Sequence, residues 1–324
     1  MHSPEFLQEK VIAAITALHL DRQPPELYAP IAYSMSIGGK RMRPMLVLMA
    51  CELVGGNIED ALSAAVGIEV FHNFTLVHDD IMDNAPIRRG QVTVYKKWDT
   101  NIAILSGDTM FALAYEQMAK TPQEILPQIL EVFTTTARQV CEGQQCDMNF
   151  ESREDTTLEE YLMMIRLKTA VLLACSLKIG ALTGGADAAT AAALYTFGEK
   201  LGIAFQIRDD LLDTFGDEAL FGKKTGGDIL ANKKTYLYLA ALTYGSPQAC
   251  KELKEIYRGD SMLPEEKIAR VKTLFTAAGV ESLCETVSAD YYKQAMDAIE
   301  QLNFSEERLL PLRNFATHLL GRKY

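Results

Sequence analysis

Cysteine is sparse and unordered in this chain. The six cysteines, Cys51, Cys141, Cys146, Cys175, Cys250 and Cys284, follow no framework spacing. Cys141 and Cys146 have neither a second pair nor a nearby histidine to complete a metal site. The pattern excludes a disulfide scaffold and predicts reduced thiols in a cytoplasmic protein. Long uncharged apolar runs are missing as well. The best candidate, 61–77, contains Glu69, His72 and Asn73, so it reads as a buried helix and no transmembrane segment is expected. Met1-His-Ser-Pro-Glu-Phe offers no basic segment followed by an apolar one, and no leader is expected. Basic excess is absent: 43 acidic against 32 basic residues leave a formal net charge of -11. That disfavours nucleic acid as a partner, because phosphate backbones attract clustered Lys and Arg. It leaves room for a local basic pocket that takes a small anion.

Strand signals are also lacking. No run of β-branched residues alternates with polar ones between turns, and no Gly/Ser linker or low-complexity tract divides the chain. Apolar residues instead recur at three- and four-residue spacing, among helix formers. Helices are predicted over 5–18, 44–54, 60–83, 101–119, 123–142, 157–182, 188–215, 233–243, 248–257, 264–277, 279–301 and 305–320. Punctuation such as Pro24-Pro25, Gly38-Gly39, Gly55-Gly56, Gly184-Gly185 and Ser246-Pro247 separates them. The expectation is an all-α fold, a single domain over 1–324. Segment 61–78 is apolar nearly all round, which suits a helix at the centre of a bundle.

Two acidic clusters interrupt this apolar pattern. In Asp79-Asp80-Ile-Met-Asp83 the outer aspartates are four apart, on one helical face. His72 lies seven and eleven residues earlier, within about 20° of both on an ideal helix. The second cluster repeats the spacing: Gln206, Asp209 and Asp213 share a face, with Asp210 beside them. Like charges repel there, and acids flanked by Leu76, Val77, Ile81, Leu211 and Leu212 are costly to bury unless paired or metal-bound. Carboxylate oxygens supplemented by water and ligand phosphates are what Mg²⁺ prefers. Basic segments stand close by: Gly38-Gly39-Lys40-Arg41-Met42-Arg43-Pro44, Arg88-Arg89-Gly90, Gly222-Lys223-Lys224 and Asn232-Lys233-Lys234. Such groups suit a diphosphate bridged to metal.

The ordered set GGKRMRP, HDDIMDNAPIRRG, Lys168-Thr169, FQIRDDLLD, GKKTGGD and NKKT resembles the trans-polyprenyl diphosphate synthases over about residues 25–245, with helices 246–324 consistent in length. The resemblance implies a helical fold around a deep central hydrophobic cavity, and head-to-tail condensation of isopentenyl diphosphate with an allylic diphosphate. It implies Asp79, Asp83 and Asp209 as ligands of about three Mg²⁺ ions, supported by Asp80, Asp210 and Asp213. Arg88, Lys168, Lys223 (or Lys224) and Lys233 would contact the allylic diphosphate; Lys40, Arg43, His72 and Arg89 would hold isopentenyl diphosphate. Thr169 and Gln206 would steady the allylic cation. Arg322 and Lys323 would help close the site. Phe74 and Thr75 would set product length, and one aromatic there resembles the C20 type, with C15 close to it. A homodimer is implied, with 101–119 a candidate interface. Two other readings share features: a class I terpene cyclase, whose second metal motif normally reads Asn/Ser/Glu, and a non-catalytic subunit, which tends to lose an acidic motif.

Overall fold

The computed structural model describes residues 1–216, 225–259 and 262–321. The chain divides into two compact units, Met1–Thr135 with Cys175–Tyr195, and Thr136–Ala174 with Thr196–Tyr324. Both are helical, as the periodicity predicts; the described residues contain a single two-stranded sheet. No helix among them is long and apolar enough to cross a membrane.

The first unit is organised around one helix. Helices α1 (Pro4–Thr16), α2 (Pro25–Ser36), α3 (Met42–Leu53), α4 (Ile58–Met82), α5 (Val94–Lys97) and α6 (Thr100–Met118) follow in order, and α4 touches each of the other five. That central position explains why α4 is apolar on every side: Ala61, Ala64, Ile68, Val70 and Phe71 are all buried. Asn57 starts α4 by accepting from the Glu59 amide, and Asp99 caps α6 by accepting from Ile102. Between α4 and α5 lies a short hairpin, β1 (Ile87–Arg88) with β2 (Gln91–Val92), which carries both arginines of the Arg-Arg-Gly segment.

Helix α2 was not expected. Pro24-Pro25 reads as a turn, yet Pro25 occupies N1, where a missing N–H costs nothing, and Pro30 lies within the helix. Burial of Ile31, Ser34 and Met35 outweighs the poor local propensity.

The second unit holds most of α7 (Leu126–Ser152), α8 (Leu158–Ile165), and the ends of α9 (Val171–Thr183) and α10 (Ala188–Phe215) that fall within its bounds. Helices Tyr236–Tyr244, Pro247–Arg258, Pro264–Ala277, Val280–Glu300 and Glu306–Leu320 follow. Their core gathers Ile165, Ile207, Leu211, Leu237, Phe275 and Cys284. Thr157 begins α8 with a reciprocal capping box to Glu160. The largest departures from expectation here are that α7 runs ten residues past 142, through Gly143, and that the 157–182 segment contains a π-helical turn, Arg166–Ala170.

Candidate active site

Both acidic clusters lie at the C-terminal ends of long helices, and this sets their electrostatics. Asp79 and Asp80 are in the last turn of the 25-residue α4, and Asp83 is its C-cap. Asp83 keeps α-helical dihedrals and its amide donates to the Asp79 carbonyl at 2.8 Å, so the one-face spacing survives the end of the helix. Asp209, Asp210 and Asp213 occupy the last two turns of the 28-residue α10. Neither last turn contains a basic residue. A helix C-terminus carries roughly half a negative charge, so three carboxylates there raise a potential that a cation relieves.

Within each cluster the middle aspartate is already engaged. Asp80 is buried, and its Oδ1 accepts from Arg88 Nε at 2.7 Å. Burial pushes its carboxyl above the ordinary range, and Arg88 pulls it back. Asp210 is buried as well. Tyr161 donates to its Oδ2 at 2.5 Å, the Tyr236 amide to the same oxygen at 3.4 Å, and Gln206 Nε2 to its Oδ1 at 3.0 Å. Burial, with Asp228 adding like charge, pushes Asp210 up to about 8. Asp213 accepts the Asp228 amide at 2.9 Å, which ties the end of α10 to the Gly227–Leu230 turn. Asp79 and Asp209 are part-buried and Asp83 is exposed.

This donor set fits Mg²⁺. Oxygen ligands at a negative helix pole supply what a hard cation needs, with water and phosphate completing an octahedron. No closed cage of three His, Cys, Asp or Glu ligands occurs among the described residues; Mg²⁺ does not require one.

A compact basic group forms in the first unit. Arg41 adopts a left-handed conformation (φ 50°) before α3 and turns its guanidinium inward, where Glu69 of α4 and the Met35 carbonyl accept from it. Asn73 donates to the Glu69 side chain at 3.1 Å. Beyond this pair, Arg43 approaches His72 Nε2 at 3.3 Å. Desolvation brings the Arg43 guanidinium down to about 10, and its Nε is buried without a partner. Burial, with Arg43, Arg89, Arg88 and Arg41 around it, holds His72 well below its usual range. His72 is therefore neutral and accepts from Arg43. Arg89 donates to the Gly38 carbonyl, which brings it against the loop that carries Lys40. Lys40 is exposed. Guanidinium groups held close together with a donor unsatisfied have the chemistry to take a polyanion.

In the second unit Lys168 and Thr169 lie in the π-helical turn. Lys168 Nζ donates to Asp147 Oδ2 at 2.6 Å, and Thr169 Oγ1 to Gln206 Oε1 at 3.3 Å. Lys233 is 3.8 Å from Asp228, whose carboxyl burial and Asp213 push up to about 6. Lys223, Lys224, Arg322 and Lys323 lie outside the described residues.

Phe74 packs in an aromatic cluster, its ring 5.5 Å from Phe71, 5.3 Å from Phe111 and 4.8 Å from His78. Thr75 donates its hydroxyl to the His72 carbonyl at 2.8 Å.

The residues that sequence reasoning passed over are Arg41, Glu69, Asp147, Tyr161 and Asp228. Glu69 had a signal, since it is a lone acid in an apolar helix; Asp228 sits within the GKKTGGD segment. Asp147 and Tyr161 had none, because their partners are distant in sequence.

The sequence and the fold both match known proteins. Residues 24–276 match the polyprenyl synthetase family model. The geranylgeranyl diphosphate synthase of Methanosarcina mazei is 39% identical over 316 residues, 97% of this chain and 95% of that protein. The geranylfarnesyl diphosphate synthase of Natronomonas pharaonis is 37% identical, over 94% of this chain and 92% of its own. A crystal structure of a geranylgeranyl pyrophosphate synthase superposes with a TM-score of 0.93 at 42% identity, covering 100% of both chains. The chain belongs to the polyprenyl synthetase family.

Proposed function

We propose that this chain is a prenyltransferase that condenses isopentenyl diphosphate head-to-tail with an allylic diphosphate, giving a short-chain all-trans product, geranylgeranyl diphosphate (C20). One observation carries the reading: two carboxylate clusters at helix C-termini, each with basic side chains nearby. The relatives' names support short-chain synthesis, and they include both a geranylgeranyl and a geranylfarnesyl enzyme.

Asp79, Asp83 and Asp209 would hold about three Mg²⁺ ions, with Asp80, Asp210 and Asp213 orienting them. Mg²⁺ held by these carboxylates would supply positive charge to the allylic diphosphate and so make it a better leaving group. Arg88, Lys168, Lys223 and Lys233 bind the same diphosphate. Arg43, His72, Arg89 and Lys40 bind and orient isopentenyl diphosphate. Thr169 and Gln206 present oxygen dipoles to the allylic cation, and the released diphosphate takes the proton lost on C–C bond formation. Residues 1–324 act as one synthase domain, cytoplasmic and homodimeric. Exposed Ile104 and Leu105 on α6 support that interface; a single-subunit mass by light scattering would remove it.

Purified protein with Mg²⁺, isopentenyl diphosphate and farnesyl diphosphate should release diphosphate and form a C20 product on chromatography. Release without consumption of isopentenyl diphosphate would point to a cyclase, and no release would end the enzyme reading. Phe74→Ala should lengthen the product by one or more C5 units, because truncating a buried aromatic opens space that neighbours fill only partly. An unchanged product distribution removes Phe74 as the floor.

A further inference from the structure

The π-helical turn Arg166–Ala170 joins α8 to α9 and carries Lys168 and Thr169. Such turns are intrinsically poorer than α-helix and are held in place by their surroundings, mostly at functional positions. Here two glycines do the holding. A Cβ on Gly143 of α7 would lie 2.3 Å from the Lys168 nitrogen and 2.8 Å from its Cα. A Cβ on Gly202 of α10 would lie 2.6 Å from the Ala170 Cα. The turn is thus seated against two helix backbones at distances that only glycine permits.

The polar residue four positions after each glycine then grips the turn. Asp147, one helical turn beyond Gly143, accepts from Lys168 Nζ at 2.6 Å. Gln206, one turn beyond Gly202, accepts from Thr169 at 3.3 Å. The same device, glycine for the backbone and an acceptor four residues on for a side chain, is applied twice within the one turn.

We propose that Asp147 is a positioning residue that fixes the Lys168 ammonium for the allylic diphosphate. The inference rests on Lys168 as a diphosphate contact. A lysine side chain is a strongly hydrated point charge on a flexible stem. Left alone it would sample many rotamers and lose that freedom on binding. Asp147 removes most of the freedom before substrate arrives and engages one ammonium hydrogen, which leaves two for phosphate oxygens. A carboxylate that merely sequestered Lys168 would act oppositely, and its loss would tighten substrate binding.

Steady-state kinetics with each substrate varied in turn separate these. Asp147→Asn should lower kcat/KM for the allylic diphosphate about 10–100-fold, with KM for isopentenyl diphosphate changed less than about twofold. Asp147→Glu, which keeps the charge, should recover part of the loss and carries the test if the asparagine variant is unfolded by circular dichroism. Asp147→Asn combined with Lys168→Ala should be no worse than Lys168→Ala alone. The positioning role is overturned if Asp147→Asn leaves kcat/KM for the allylic substrate unchanged or raises it, or if the two losses multiply. A near-normal Lys168→Ala enzyme would instead overturn the diphosphate contact beneath it.

Discussion

Asp79→Ala is expected to lower kcat by about 10³-fold or more while leaving the fold intact. Asp79 sits in the last turn of α4, against the negative pole of the helix and one turn from Asp83, and each repels its carboxylate by about 0.3–1 kcal/mol. Its removal should therefore cost the metal-free fold little. In the proposed metal site the same removal takes away a ligand oxygen on which charge stabilisation depends. A denaturant titration of the metal-free protein, set beside turnover with saturating substrates, reads both. Near-normal turnover would remove Asp79 from the metal assignment. Asp80→Ala provides the contrast: it leaves the Arg88 guanidinium without its 2.7 Å partner, so its loss of activity should come with a loss of stability.

The fold was legible wherever local pattern and burial agree. Helix α4 is apolar all round and is in fact central, and the end of α10 was readable from Gln206 to Asp213 at three- and four-residue spacing. Helix α2 was not legible, because Pro25 and Pro30 both argue against a helix locally and only the burial of Ile31 and Met35 decides for one. The same reason hides the continuation of α7 past Gly143. A glycine there reads as a helix end, whereas its purpose is to let the Lys168 backbone approach. The motif residues were legible as a set, but not their division of labour. Spacing cannot tell that Asp80 and Asp210 are turned inward to Arg88 and Tyr161, since those partners lie on other elements. Nor can it assign Arg41, which stands in the same basic segment as Arg43 and does something different.

Arg41 supports the second large effect. Its side chain and that of Glu69 form an ion pair, at 8% and 3% exposure. Glu69→Gln should destabilise the protein by about 3–5 kcal/mol, because it leaves the guanidinium buried with its charge uncompensated. Arg41→Met together with Glu69→Leu should cost much less, since no buried charge remains in that pair. The pair also bears on binding. Glu69 favours the charged state of Arg43 and of Arg89, so it helps hold a cluster of cations together before any anion arrives. Take Glu69 away and a bound diphosphate has more repulsion to relieve. Isopentenyl diphosphate should therefore bind Glu69→Gln more tightly, and because its stabilisation grows as RT ln(1 + [L]/Kd) it should raise the melting temperature of the variant more than that of the parent protein at equal ligand concentration. Equal shifts in the two proteins would show that Glu69 supports the fold alone; a larger shift in the variant would show that the same carboxylate stands in for the substrate's charge until it binds.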